Sequence, residues 1–248
     1  MNLRKLILTN NACFKAGRTI KPKGIMVHST GANNPWLRRY VGPDDGLLGV
    51  NRHNNHWNQD RPDGRQVCVH AFIGKLADGS IATYQTLPWN HRGWHSGRGL
   101  RGSANDTHIS FEICEDALKD AYYFRKVYNE AVELCVHLCG LYRFNEDSII
   151  SHSEGHRSGI ASNHADVMHW FPRHSESMHS FRAAVRKAMT ESVDTALVDE
   201  IYTVVKGDSL WKIAAAKLGS GARHREIREL NGLESDFLLP GKKLKIPK

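Results

Sequence analysis

No run of apolar residues in the 248-residue chain approaches the ~20 needed for a membrane-spanning helix, which excludes insertion by a helical anchor. Cysteine is scarce. The five residues, Cys13, Cys68, Cys114, Cys135 and Cys139, are odd in number and form no repeated C-x-x-C pair. A disulfide framework is therefore not expected, and the pattern fits synthesis in a reducing compartment. Cys135 and Cys139 stand four apart in an apolar helical pattern, the spacing of core packing. A secretory leader is not expected either. The opening "MNLRKLILTNNACFKAG" has a basic start, but "LILT" is too short for its apolar segment. Cytoplasmic synthesis without a signal peptide is expected, so an extracellular target would need another device for delivery.

Negative charge is in deficit as well. Asp and Glu number 26 against 34 Lys and Arg, giving a formal net charge of +8 and a pI near 9.3. That balance favours an anionic partner: nucleic acid, a membrane surface, or an acidic polymer such as a cell wall. No motif beyond charge supports nucleic acid, and none is expected as a partner. Oligomeric state is not readable.

What is present is a substantial core, with 40% hydrophobic residues, enough for one large domain with a smaller companion. "GIMVH" (24–28) reads as a buried strand with His28 at its end. "VCVHAFIG" (67–74) and "SIATYQTL" (80–87) flank "KLADG", a hairpin turn. "THISFEICE" (107–115) is a further strand. Residues 120–144 carry apolar side chains at helical spacing, and "SIIS" (148–151) is a short strand. Residues 175–192 form a closing helix. Strands alternating with helices predict an α/β domain with a mixed central sheet. The polar, aperiodic stretch 192–200 reads as a linker between a domain at 1–191 and a module at 201–248. That module reads strand, cap, helix, glycine-rich turn, helix, loop, strand. Its first helix is capped by Asp208 or Ser209 and ends near Gly219.

The stretch "IISHSEGHRSGIASNHADVMHW" (149–170) concentrates His152, His156, His164 and His169 beside Glu154 and Asp166. Catalytic zinc takes three protein ligands from rigid positions and leaves a place for water. His28, at a strand end, suits the first ligand, and the cluster can supply two more. Glu112 falls on the face of its strand opposite to Ile109, Phe111 and Ile113. A strand carboxylate held there needs a metal or a cation beside it.

Four motifs, "GIMVHSTG", "GWHSG", "ISFEI" and "SHSEGHRSGIASNHADVMHWF", occur in the order found in type 2 N-acetylmuramoyl-L-alanine amidases. Residues 20–190 resemble that family, which includes phage endolysins and bacterial autolysins and is similar to peptidoglycan recognition proteins. The resemblance implies a Zn2+ enzyme with a catalytic zinc cleft. It would cut the amide between N-acetylmuramic acid and the L-alanine of the stem peptide. His28 and Asp166 match two of the family's ligands. The third is open between His152, which directly follows a strand, and His156, whose ten-residue distance to Asp166 matches many relatives, with His164, close to Asp166 in sequence, a further candidate. Strand-end placement favours His152.

The resemblance assigns acid–base work to Glu112, with Glu154 as rival or as a residue orienting a ligand histidine. His164 stands where many relatives carry an oxyanion-stabilising Lys. Val69 stands where some carry a Tyr. His70, Trp94 and His95 are expected to line the cleft, and His156 and His169 to be structural.

"YTVVKGDSLWKIA", "IRELNGL" and "LLPGKKLKIP" resemble a LysM domain over Tyr202 to Pro247, implying a βααβ fold that binds N-acetylglucosamine-containing glycans. The groove would involve Gly207, Asp208, Ser209 and Leu210, together with Leu239 and Pro240. The partners implied are bacterial peptidoglycan and anionic wall polymers, met after release from the cytoplasm. Missing leader and family together suggest a phage or prophage endolysin. A non-catalytic peptidoglycan-binding protein on the same fold is the alternative.

Overall fold

The computed structural model describes residues 1–196 and 198–247, with no side-chain placement over 192–199. The chain forms two compact units, Met1–Ala188 and Met189–Lys248.

The first unit is built on a six-stranded mixed sheet in the order β1-β4-β3-β5-β2-β6. The strands are β1 (Leu3–Lys5), β2 (Gly24–Asn33), β3 (Ala71–Lys75), β4 (Ile81–Gln85), β5 (His108–Glu115) and β6 (Ile149–Ser151). Only the β3–β4 hairpin is antiparallel. Central β2 reads as a continuous apolar run because it is covered on both faces, and its first six residues are buried. The edge strand β1 lies outside the periodic patterns of the sequence. Three residues carry too little alternation to announce a strand.

The helices are α1 (Ala12–Lys15), α2 (Ala121–Tyr142), α3 (His152–Arg157) and α4 (Met178–Ala196). The Asp120 carboxylate caps α2 by accepting from the N–H groups of Tyr122 and Tyr123. The buried stripe of α2 includes Tyr123, Phe124, Val127, Tyr128, Ala131, Leu134, Cys135, Leu138 and Cys139. Cys135 and Cys139 are thus core residues, and all five cysteines are free thiols. Aromatic rings tie the helices together: Phe124 meets Trp170 edge-on at 5.3 Å and Tyr128 meets Phe181 at 5.3 Å. Across the sheet a second cluster packs Leu37, Tyr40, Trp57, Val69, Phe72 and Cys114.

The second unit holds β7 (Val198–Thr203), α5 (Leu210–Leu218), α6 (His224–Leu230) and β8 (Lys243–Pro247), with β7 and β8 antiparallel. Val204, Leu210, Ile213, Ala214, Ile227, Leu244 and Ile246 form its core. Helix α4 runs to Ala196 and β7 starts at Val198, so both enter the stretch 192–200 that the sequence presents as linker. Among the described residues no helix is long and apolar enough to cross a membrane.

Candidate metal centre and cleft

Sheet register brings the functional side chains to one level. His28 on β2 pairs with Glu112 on β5, and Glu112 pairs with Phe72 on β3. Val27 pairs with Ser151, the last residue of β6, so His152 follows at the level of His28. Paired residues on neighbouring strands project to the same face. One transverse row therefore carries Phe72, Glu112, His28 and His152.

His152 is not in a loop. It is the first residue of α3, and Ser151 is the cap. The Ser151 hydroxyl accepts from the Glu154 N–H while the Glu154 carboxylate accepts from the Ser151 N–H. Glu154 also receives both arms of the Arg182 guanidinium at 3.0 Å. Its carboxylate is thus consumed by the helix start and α4; it neither rivals Glu112 nor orients a ligand histidine. A Cβ on Gly155 would lie 2.6 Å from Met26 Cε, so glycine lets α3 settle against β2.

Asp166 closes the triad from the first position of a short 3-10 helix, Asp166–His169, beyond α3. Its φ of +44° is in the left-handed region, which Asp tolerates better than most residues. Its Oδ2 lies 3.0 Å from His152 Nδ1 and 3.6 Å from His28 Nδ1, and the two Nδ1 atoms are 3.2 Å apart. A tetrahedral ion with ligands at ~2.1 Å would space them by about 3.4 Å. The outer nitrogens are also engaged. His28 Nε2 meets His95 Nδ1 at 3.0 Å, and His152 Nε2 meets the Ser162 hydroxyl at 3.3 Å. Ser162 in turn donates to the Ser96 carbonyl at 3.1 Å. With Nε2 of each ring donating outward, both Nδ1 lone pairs point at the common centre. Asp166 Oδ2 is buried there without a hydrogen bond. Three inward lone pairs with no proton to share suit a divalent cation, and the two-imidazole, one-carboxylate set suits zinc.

Burial lowers the His28 pKa, against the pull of Asp166. Burial opposes ionisation of Asp166, yet His28 and His152 hold its carboxyl below the usual range. Glu112 is different. Burial raises its pKa well above the ordinary value, and the negative charges of Asp166 and Glu115 add to the effect. Its Oε2 is shut from solvent with no hydrogen-bond partner.

The row opens into a cleft of about 540 Å3 lined by His28, Glu112, His152 and Asp166 together with Tyr40, Trp57, Arg65, Trp94, His95, His164 and His169. His164 is exposed at the rim, its ring centroid 4.9 Å from that of His152. Trp94 is 44% exposed and free to meet a ligand. His95 backs His28. His70 does not reach the cleft. It is fully buried, accepting the Ser110 N–H at Nδ1 and donating from Nε2 to the His91 carbonyl. Burial pulls its pKa down to about 4. His156 points away toward the Ala161 carbonyl. His169 contacts the buried Glu115 at 3.0 Å and also lines the cleft, so it is more than a packing residue. Tyr40, Trp57 and Arg65 come from the long segment between β2 and β3. Sequence reading passed over it because it has no period, although its aromatic residues among Asn and Gly were a usable sign.

In the second unit Ser209 is the cap of α5, accepting from the Lys212 N–H. Asp208 instead closes the preceding turn, accepting from the Val205 N–H and the Tyr202 hydroxyl. Gly207 has φ +93°, which only glycine adopts freely. Leu210 is 1% exposed and belongs to the core, so its side chain is unavailable to a ligand. Leu239 and Phe237 are 61% and 74% exposed, and Pro240 is exposed beside them.

Comparisons with known proteins agree with this fold. A family model described as N-acetylmuramoyl-L-alanine amidase matches residues 18–169, and a LysM domain model matches residues 202–247. The N-acetylmuramoyl-L-alanine amidase XlyA of Bacillus subtilis (strain 168) is 29% identical over 156 residues, 63% of this chain and 44% of that protein. The chain thus spans less than half the length of that relative. Among solved structures, the catalytic domain of XlyA superposes with a TM-score of 0.52 at 23% identity, covering 75% of this chain and 99% of that one. The PlyG catalytic domain gives 0.54 at 19% identity, covering 76% and 96%. At such identities these two likenesses speak for the fold.

Proposed function

This chain belongs to the N-acetylmuramoyl-L-alanine amidase family, and from that premise we propose that it is a zinc-dependent peptidoglycan hydrolase that cuts the N-acetylmuramic acid–L-alanine amide. One observation carries the zinc reading: His28 Nδ1, His152 Nδ1 and Asp166 Oδ2 converge at tetrahedral spacing, with Glu112 in the same row. Zinc held by these three would supply a Lewis acid that acidifies water, polarises the scissile carbonyl and eases ionisation of Glu112.

Glu112 is the general base. Its carboxylate takes a proton from the attacking water as the water oxygen bonds to the carbonyl carbon. It returns the proton to the leaving nitrogen as the C–N bond breaks. A carboxyl whose pKa is raised by burial is suited to both transfers. His164, at the rim beside His152, donates a hydrogen bond to the carbonyl oxygen as charge gathers there. Trp94 and His95 flank the reacting bond.

The amidase region is residues 1–191, joined through 192–200 to a LysM region at 201–248. Gly207, Asp208, Ser209, Leu239 and Pro240 form its glycan-contacting edge, with Leu210 acting only from the core. Binding there raises the concentration of the hydrolase on an insoluble wall, and the +8 charge favours anionic wall polymers. The role that fits is that of a phage or prophage endolysin, made in the cytoplasm and released to the wall. Zinc analysis of purified protein, with wall turbidity followed with and without chelator, tests the proposal. One zinc per chain and chelator-sensitive clearing are expected. Metal-free protein that clears walls would contradict it, and wall binding without clearing would mark a non-catalytic binder.

A further inference from the structure

Tyr40 brings to the cleft a hydroxyl that the fold does not use. The residue is 3% exposed, and every other part of it has a partner. Its ring stacks on Phe72 with centroids 5.1 Å apart and planes 13° from parallel. Trp57 meets it edge-on at 6.3 Å, and the Arg39 guanidinium lies 5.3 Å from the ring centre. The backbone N–H donates to the Leu37 carbonyl, and the carbonyl accepts from the Trp57 N–H. Only Oη is left, shut from solvent; the Thr30 side chain is the polar group that acts on it, but no hydrogen bond of good geometry forms. Where a ring alone is needed, phenylalanine fills the space with no polar atom to satisfy. A buried hydroxyl kept unpaired is a standing cost that points to a ligand.

Two observations say where that ligand is. Tyr40 lines the same cleft as Glu112 and His28. Phe72, under its ring, is the register partner of Glu112, and the Glu112 charge acts on the phenol. Glu112 Oε2 is also buried and unpartnered, as are Ser29 Oγ, Trp57 Nε1, His95 Nε2 and Asp166 Oδ2 among the cleft residues, and it does not bond to the Tyr40 hydroxyl. A hydroxyl donor and a carboxylate acceptor thus belong to the lining of one cleft, the two kinds of group that an amide carbonyl and the water attacking it require.

We propose that Tyr40 is a catalytic residue whose hydroxyl donates a hydrogen bond to the scissile carbonyl oxygen as that oxygen gains charge. The phenol remains a donor throughout the working range, because burial, with Cys114 and Glu112 beside it, raises its pKa. The inference rests on the amide-hydrolase reading above.

The test is Tyr40→Phe in the full chain, assayed on a soluble muropeptide with zinc content and thermal midpoint measured in parallel. Phenylalanine preserves the stack on Phe72 and removes only the unpaired hydroxyl. Zinc content and wild-type or higher thermal stability should be retained. The kcat should fall by about 10²–10³-fold, the range for loss of one oxyanion donor, with KM changed far less. Tyr40→Phe with wild-type kcat overturns the inference, whether or not its stability drops. A wild-type chain that leaves the amide intact overturns the functional reading and this inference with it. Wild-type cleavage matched by Tyr40→Phe removes this inference alone.

Discussion

At the scale of single residues, the chemistry rests on one row across the sheet, and the substitutions that matter lie along it. Glu112→Gln keeps the shape of the side chain while removing the base. Zinc and fold should be retained and turnover should fall by about 10²–10⁴-fold, the contribution general acid–base groups make. A stopped assay on soluble muropeptide reads this directly, and near-normal turnover would move the base elsewhere. The histidines after β6 divide sharply. His152→Ala removes an Nδ1 that sits 3.0 Å from Asp166 and should abolish stoichiometric zinc, whereas His156→Ala should keep it. Metal analysis of the two variants decides between them, and the reverse pattern would refute the triad.

His28 and Glu112 were legible in the sequence because strand ends and strand alternation are local signals. His70 was not, since a histidine satisfied on both ring nitrogens in the core has the same letters around it as one that faces a ligand. Tyr40 and Trp57 were missed because their places depend on a long aperiodic segment folding back over Phe72.

At the scale of elements, α3 is the piece that aims His152. The signature Ser151-x-x-Glu154 is a capping box, and it starts the helix whose first residue is His152. Ser151→Ala should cost about 1 kcal/mol, the usual loss for a cap, and should weaken zinc affinity because the helix start fixes His152. Denaturant titration with and without zinc measures both. Unchanged stability would mean that Arg182 alone holds Glu154 and the helix.

Strands β3 and β5 place two histidines, His70 just before one and His108 at the start of the other, where burial lowers each pKa to about 4. The unfolded chain binds those protons near pH 6.5, so folded stability is complete above that pH. Stability should fall as pH drops from about 6.5 toward 4, read as a shrinking urea midpoint. A flat midpoint over that window would show that these rings take protons without unfolding.

At the scale of the whole molecule, the mixed sheet, the α2 and α4 layer and the βααβ module were all legible, since each rests on long periodic segments or on well-spaced caps and turns. The boundary between the two units was less so. A polar stretch is equally at home in a linker and in a helix end, and α4 runs to Ala196. A chain ending at residue 196 should cut soluble muropeptide about as fast as the full chain and clear intact walls more slowly, because only tethering to the insoluble substrate is lost. Loss of activity on the soluble substrate would show that the second unit is needed for more than localisation. The most direct measurement is mass spectrometry of cell wall digested by the full chain. The account expects stem peptides with free L-alanine amino termini, separated from intact glycan strands, and no such products after chelation. Cleavage at any other bond, or the same products in the presence of chelator, would contradict it.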